Sequence, residues 1–179
     1  YGFEIYHDKA KDTVMAILML AMMVPFVAVL VPLFQMFTKA KLINSWAGFI
    51  MPSIATPFLI MYFRNSARSF PRDTLEAARI DLNEFQIFIR MFIPMMKPTY
   101  ASAATITFMN AWNAYLWPKV IMQTNEAITM PMLVANTMGG YVIDYGVVMA
   151  AVTICSLPTV IIFFCLQKSF TNAVAGAVK

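Results

Sequence analysis

Arg72-Asp73-Thr74-Leu75-Glu76-Ala77-Ala78-Arg79-Ile80-Asp81 is a charged stretch of helix-forming residues set between apolar segments almost free of charge. Ala77 and Ala78 are strong helix formers. Leu75, Ala78 and Leu82 fall on one face at helical spacing, with Arg79 and Asp81 elsewhere. Pro71 and Asp73 introduce the helix, and Asp73 is the expected N-cap, with Glu76 three residues on completing a capping box. Leu82-Asn83-Glu84 reads as a junction, with Asn83 capping a second helix. Phe85, Phe88, Ile89 and Phe92 then recur at i, i+3, i+4 and i+7, an apolar stripe, before Pro94 and Pro98 close the segment. The pattern predicts two short helices in an L, the first exposed and the second lying against the apolar bundle. An ordered polar helix in such surroundings offers a partner something to hold.

The surroundings decide the fold class. Of 179 residues, 60% are hydrophobic and 12% charged, against about a quarter charged in soluble domains. A membrane-crossing helix needs roughly 20 apolar residues to span a ~30 Å hydrocarbon core. Four segments meet or approach this: Val14 to Phe37, Trp46 to Phe63, Tyr100 to Trp117 and Gly146 to Leu166. The expectation is an all-α polytopic membrane protein whose polar loop spans residues 64–98. Pro25 and Pro32 interrupt the first segment, Pro52 and Pro57 the second and Pro158 the fourth. Each removes a backbone hydrogen bond, and the freed carbonyl needs a neighbouring helix or a polar cavity. Tolerated kinks and hinges along a moving pathway both fit.

Orientation follows from the basic residues. Arg64, Arg68, Arg72, Arg79, Arg90 and Lys97 lie in the central loop, on the side shared with Lys9, Lys11, Lys168 and Lys179. Only Lys39, Lys41 and Lys119 lie opposite. The positive-inside rule puts the central loop in the cytoplasm. The net charge of +4 is then a topology signal, and no basic stripe with interleaved aromatics points to nucleic acid.

Several chemistries lack residues. No Asp, Glu, Lys, Arg or His lies inside the four segments, which weakens ion-relay readings. Cys155 and Cys165 are ten apart on one helix, about 15 Å, too far for a disulfide. The sixteen methionines read as flexible core filler, and His7 beside Asp8 as a solvated loop residue. Neither a Cys/His cluster nor a Ser/His/Asp set is present for metal or hydrolytic chemistry. Asn110 and Asn113 lie three apart on one face of the third segment, beside Trp112, Tyr115 and Trp117. These aromatics read as an interfacial belt rather than a stacking platform for a ligand, and the asparagines as pathway candidates or interhelical bonds. Thr153 and Ser156 either face a pathway or bond back to their helix.

Phe70 to Asp81, with Ile93-Pro94-Met95-Met96-Lys97-Pro98, resembles the Glu-Ala-Ala (EAA) loop of permease subunits in binding-protein-dependent ABC importers, in its sugar-importer form. Ala111-Trp112-Asn113-Ala114-Tyr115-Leu116-Trp117-Pro118 is similar to the family's signature closing its fifth membrane helix. Ala173 to Lys179 resembles the C-termini of maltose-system (MalG-like) permeases, and Tyr1-Gly2-Phe3 the end of the second helix. The resemblance covers essentially the whole chain. It implies four of the family's six membrane helices, with the first two outside this chain.

The resemblance further implies a non-catalytic subunit in a bacterial or archaeal cytoplasmic (inner) membrane. Its partners would be membrane lipid, a second permease subunit, a cytoplasmic ATPase dimer and an extracytoplasmic solute-binding protein, with ATP and Mg held by the ATPase. The coupling residues would be Asp73, Glu76, Ala77, Ala78, Arg79, Asp81 and Leu82, with the tail from Gln167 reaching toward the ATPase. No Gly-x-x-x-x-Gly-Lys-Ser/Thr phosphate loop occurs in the chain. Leu82 stands where the family has Gly, so either Asn83 absorbs the bend or the turn takes another shape. A carbohydrate is the implied solute. Glycerol phosphate or a polyol, and a secondary transporter or channel that needs no ATPase, are the alternatives.

Overall fold

A computed structural model describes residues 1–6, 8–124, 128–140 and 143–176, with side chains described up to residue 165. His7 lies outside the described residues, as do 177–179 of the tail. The described residues contain helices and turns only. In chain order the helices are α1 (Lys9–Met22), α2 (Phe26–Lys39), α3 (Trp46–Ile50), α4 (Pro57–Arg68), α5 (Arg72–Asp81), α6 (Glu84–Ile87), α7 (Ile93–Met95), α8 (Lys97–Trp112), α9 (Leu116–Ile121), α10 (Met130–Thr137) and α11 (Tyr145–Gly176). A 3-10 turn over Met51–Ser53 follows α3, and a π-helical turn over Phe88–Phe92 joins α6 to α7.

The helical architecture agrees with the sequence, but the expected spans are not all continuous. Tyr145–Cys165 is one helix long and apolar enough to cross a membrane, whereas α1 with α2, and α3 with α4, qualify only as joined pairs. The prolines explain the breaks. Pro25 is the N-cap of α2 and ends the first helix behind it, while Pro32 is accommodated inside α2. Pro52 sits in the 3-10 turn and Pro57 opens α4, a first-turn position where the missing N–H costs nothing. Pro98 likewise lies in the first turn of α8, so the third segment's helix starts at Lys97 rather than Tyr100. With sixteen residues, α8 is about 24 Å long, and the helix breaks at Asn113 before α9.

The chain forms two compact units. The first takes in α1, α4 to α7 and the start of α8, and α1 packs along α4. Its core is Ala67, Phe70, Leu75, Ala78, Ile87, Phe92 and Met96, closed by Tyr1, Ile5, Phe63 and Leu82. The Tyr1 ring meets Phe88 and Phe92 edge-on at 5.1 and 4.9 Å, the preferred aromatic geometry.

The second unit centres on Trp117, Ile121 and Met122 of α9, against Leu30, Leu33 and Phe37 of α2 and Phe49 of α3. Trp117 donates its indole N–H to the Gly48 carbonyl at 3.2 Å, and Trp112 donates to the Cys155 carbonyl at 2.9 Å. The aromatic-belt expectation therefore fails for these two side chains, which tie helices together inside the unit. Trp112 bonds the carbonyl next to that of Ile154, which Pro158 leaves without its helical donor. Thr153 and Ser156 bond back to Met149 and Val152. Lys41 and Asn44 turn the chain between α2 and α3 at φ 57° and 54°. Ser45 then caps α3, accepting from Gly48 N–H at 3.0 Å and donating to the Leu42 carbonyl at 2.7 Å. Cys155 and Cys165 are free thiols.

Candidate functional site

The charged stretch folds as α5. Its N-cap lies two residues earlier than the sequence predicts. Pro71 is the N-cap, with φ −64° and ψ 119°, and no side chain caps the helix. The Pro71 carbonyl accepts from Leu75 N–H, and Asp73 lies inside the first turn. There its carboxylate meets the positive end of the helix dipole and is exposed. The Asp73/Glu76 capping box is therefore absent. A capping box forms instead at α6, where Asn83 Oδ1 accepts from Gln86 N–H at 2.9 Å and Gln86 Oε1 accepts from Asn83 N–H at 3.2 Å.

Leu82 resolves the bend. It is extended, at φ −124° and ψ 143°, and Asn83 is extended too, at φ −78° and ψ 162°. Two successive extended residues turn the chain without any left-handed conformation. Leucine suits this geometry, and its side chain packs on the core beneath.

Burial divides α5 into two faces. Leu75 and Ala78 are buried in the unit's own core, Ala78 at 9% exposure. Asp73, Glu76, Ala77 and Ile80 are exposed and follow i, i+3, i+4, i+7 spacing, so they form one outward ridge. Of the paired alanines only Ala77 faces out. Arg79 and Asp81 flank the ridge, and Arg79 is committed to Glu84 at 2.9 Å. The apolar stripe predicted after the junction is also redistributed. Ile87, Phe92 and Met96 are buried, while Phe85 and Ile89 are exposed. The wider π turn shifts the register after Ile87, so a strict 3.6 period misassigns the inward residues.

The segment before α1 braces this loop, which sequence spacing did not reveal. Tyr1 donates its hydroxyl to Glu84 Oε2 at 2.9 Å, and Arg79 holds the other oxygen. The Tyr6 hydroxyl, the Tyr1 hydroxyl and the Arg79 guanidinium together hold the Glu84 carboxyl below the usual carboxylate range. Burial and the hydrogen bond to Glu84 push the Tyr1 phenol up. Deeper in, Arg64 has a side chain only 6% exposed and is gripped by Asp12 at 2.6 Å and Glu4 at 3.2 Å. Arg68 reaches the same Glu4 at 3.5 Å. Residues 52 to 64 positions apart make these pairs, so no local motif announces them. Between brace and helix lies a cleft of about 210 Å³, lined by Glu4, Arg68, Arg72, Glu76 and Arg79 over Phe70 and Leu75. Of its three arginines, Arg68 is paired with Glu4 and Arg79 with Glu84. Among the described residues no three His, Cys, Asp or Glu gather to hold a metal.

Asn110 and Asn113 are both exposed. Asn113 lies beyond the end of α8 and donates its amide to the Met109 carbonyl at 2.8 Å, while Asn110 lies in the last turn of the helix.

A model of the family described as "binding-protein-dependent transport system inner membrane component" matches residues 5–176. The chain belongs to this family. That places it among inner-membrane transport components and removes the secondary-transporter and channel readings. All of the chain aligns at 39% identity with the lactose transport system permease protein LacG of Rhizobium radiobacter, covering 66% of that protein. It aligns, again over its whole length, at 33% with the arabinooligosaccharides permease AraQ of Bacillus subtilis, covering 64%. A third relative, the melibiose/raffinose/stachyose import permease MelC of Bacillus subtilis, is 31% identical over all of the chain and 67% of its own length. The chain thus spans about two thirds of these curated relatives, and just under that share of LacG and AraQ. A crystal structure of a bacterial ABC transporter that imports alginate shares the fold, with a TM-score of 0.78 at 22% identity over 90% of this chain and 62% of that one.

Proposed function

We propose that this family member is a permease subunit of an ATP-driven carbohydrate importer, forming half of the translocation path and coupling through α5 to a separate ATPase subunit. The observation that carries the coupling role is the outward ridge of α5. It presents Asp73 and Glu76 beside Ala77, whose methyl group permits close approach. Asp81 stands on its flank. The chain hydrolyses no ATP, and nucleotide and Mg belong to the ATPase dimer. Carbohydrate is the solute class because relatives matching the whole chain are named for lactose, arabinooligosaccharides and the melibiose series. A second permease subunit and an extracytoplasmic solute-binding protein complete the assembly.

Mechanically, closure of the ATPase dimer pulls α5. The Tyr1–Glu84–Arg79 brace and the buried Arg64 cluster make the loop a stiff lever, so the pull reaches the membrane helices instead of bending the loop. Asn110 is the candidate for contact with passing solute. Asn113 is already engaged by Met109. The test is uptake of labelled lactose and short oligosaccharides into vesicles holding the assembled importer. Glu76→Lys is expected to abolish uptake and solute-stimulated ATP hydrolysis while the permease still inserts. Normal uptake in that variant would sink the coupling role.

A further inference from the structure

The ridge of α5 ends in an unexplained residue. Ile80 is 83% exposed, more than any other large hydrophobic side chain among the described residues. In the spanning helices an exposed apolar side chain meets lipid. On α5 it shares one ten-residue helix with Arg72, Asp73, Glu76, Arg79 and Asp81, a charged setting unlike that of the spanning helices. Ile80 shares the i, i+3, i+4, i+7 ridge with Asp73, Glu76 and Ala77. Asp73 and Glu76 make no ion pair among the described residues, so the ridge presents two uncommitted carboxylates and one apolar tip.

We infer that Ile80 is the apolar anchor of this ridge, seated in an apolar socket with a basic rim on the ATPase subunit; this deepens, and rests on, the coupling role proposed above. Charge complementarity selects a protein over a membrane. The anionic cytoplasmic leaflet repels a pair of carboxylates, whereas a basic rim attracts them and fixes the register of docking. An aliphatic side chain at the centre of a charged contact is the arrangement in which burial supplies affinity and the charges supply orientation.

The test uses the intact importer in detergent and reads how firmly its own ATPase subunit is retained. Ile80→Ala is expected to weaken retention by about ten- to hundredfold, the effect of no longer burying most of an isoleucine side chain. Ile80→Met should retain binding, since it keeps the volume. Glu76→Lys is the reference variant. If Glu76→Lys weakens retention and Ile80→Ala does not, the anchor is overturned and the coupling role stands. If neither variant changes retention, the coupling role itself falls. Reduced membrane insertion of Ile80→Ala with unchanged ATPase retention would assign the side chain to lipid and overturn the proposal.

Discussion

Ala77 and Ala78 are neighbours in sequence, yet only one of them is available to a partner. Ala78 is buried under Leu75 and the aromatic core, and Ala77 lies on the outward ridge. Composition alone cannot separate them, because alanine is compatible with either face. The separation needs the burial of Leu75 to fix the rotation of the helix. Gly48 is a comparable single-residue determinant. A Cβ placed there would come within 2.1 Å of the Leu42 carbonyl oxygen, and that carbonyl is held by Ser45. Gly48→Ala is therefore expected to destabilise the second unit by about 1–3 kcal/mol, read as a lower apparent Tm of the detergent-solubilised protein. Glu84 carries a pH prediction. Its folded-state pKa is depressed, so the stabilisation is full above the ordinary carboxylate range and is lost as pH falls through the depressed value. Protection of the amides across residues 79–88, taken relative to their intrinsic exchange rate at each pH, should fall on acidification through that window and stay flat near neutrality. Glu84→Gln should show fast exchange at all pH values.

At the scale of elements, what the sequence makes legible is what is local. The helix over α5, the cap at Asn83 and the four apolar segments all follow from neighbouring residues. The N-cap did not, because Pro71 starts the helix through its carbonyl and leaves Asp73 two residues inside. The stripe after Asn83 did not, because the π turn over Phe88–Phe92 breaks the period on which the reading rests. That turn holds one residue more than an α-helix would use. Deleting Ile89, which is exposed, is expected to convert it to α-helix and rotate everything before it by about 100° with a ~1.5 Å shift. Import should be lost with the chain still in the membrane. Retained import in the deletion variant would show that the π turn does not set the position of α5. The prolines divide in the same local way. Pro25 breaks a helix, Pro32 and Pro158 are absorbed, and Pro57 and Pro98 start new helices. The difference follows from position: in a first turn the missing N–H is not needed, and inside a helix it frees one carbonyl.

At the scale of the whole molecule, the charge asymmetry and the polar loop between apolar segments were enough to expect an oriented polytopic membrane protein; the family resemblance added the inner membrane, and family membership agrees. The Tyr1–Glu84–Arg79 brace and the Arg64–Glu4–Asp12 cluster were illegible, since they join residues far apart in the chain whose pairing exists only after folding. These contacts fix the base of a short exposed helix. In the proposed coupling, the ridge of α5, and not its inward face, meets the ATPase. The most direct measurement places single cysteines at Ala77 and Ala78 in the assembled importer, with Cys155 and Cys165 replaced, and attaches a thiol-directed photo-cross-linker. A cross-link to the ATPase subunit is expected from Ala77→Cys and none from Ala78→Cys. Absence of the first, or equal cross-linking from both, would contradict it.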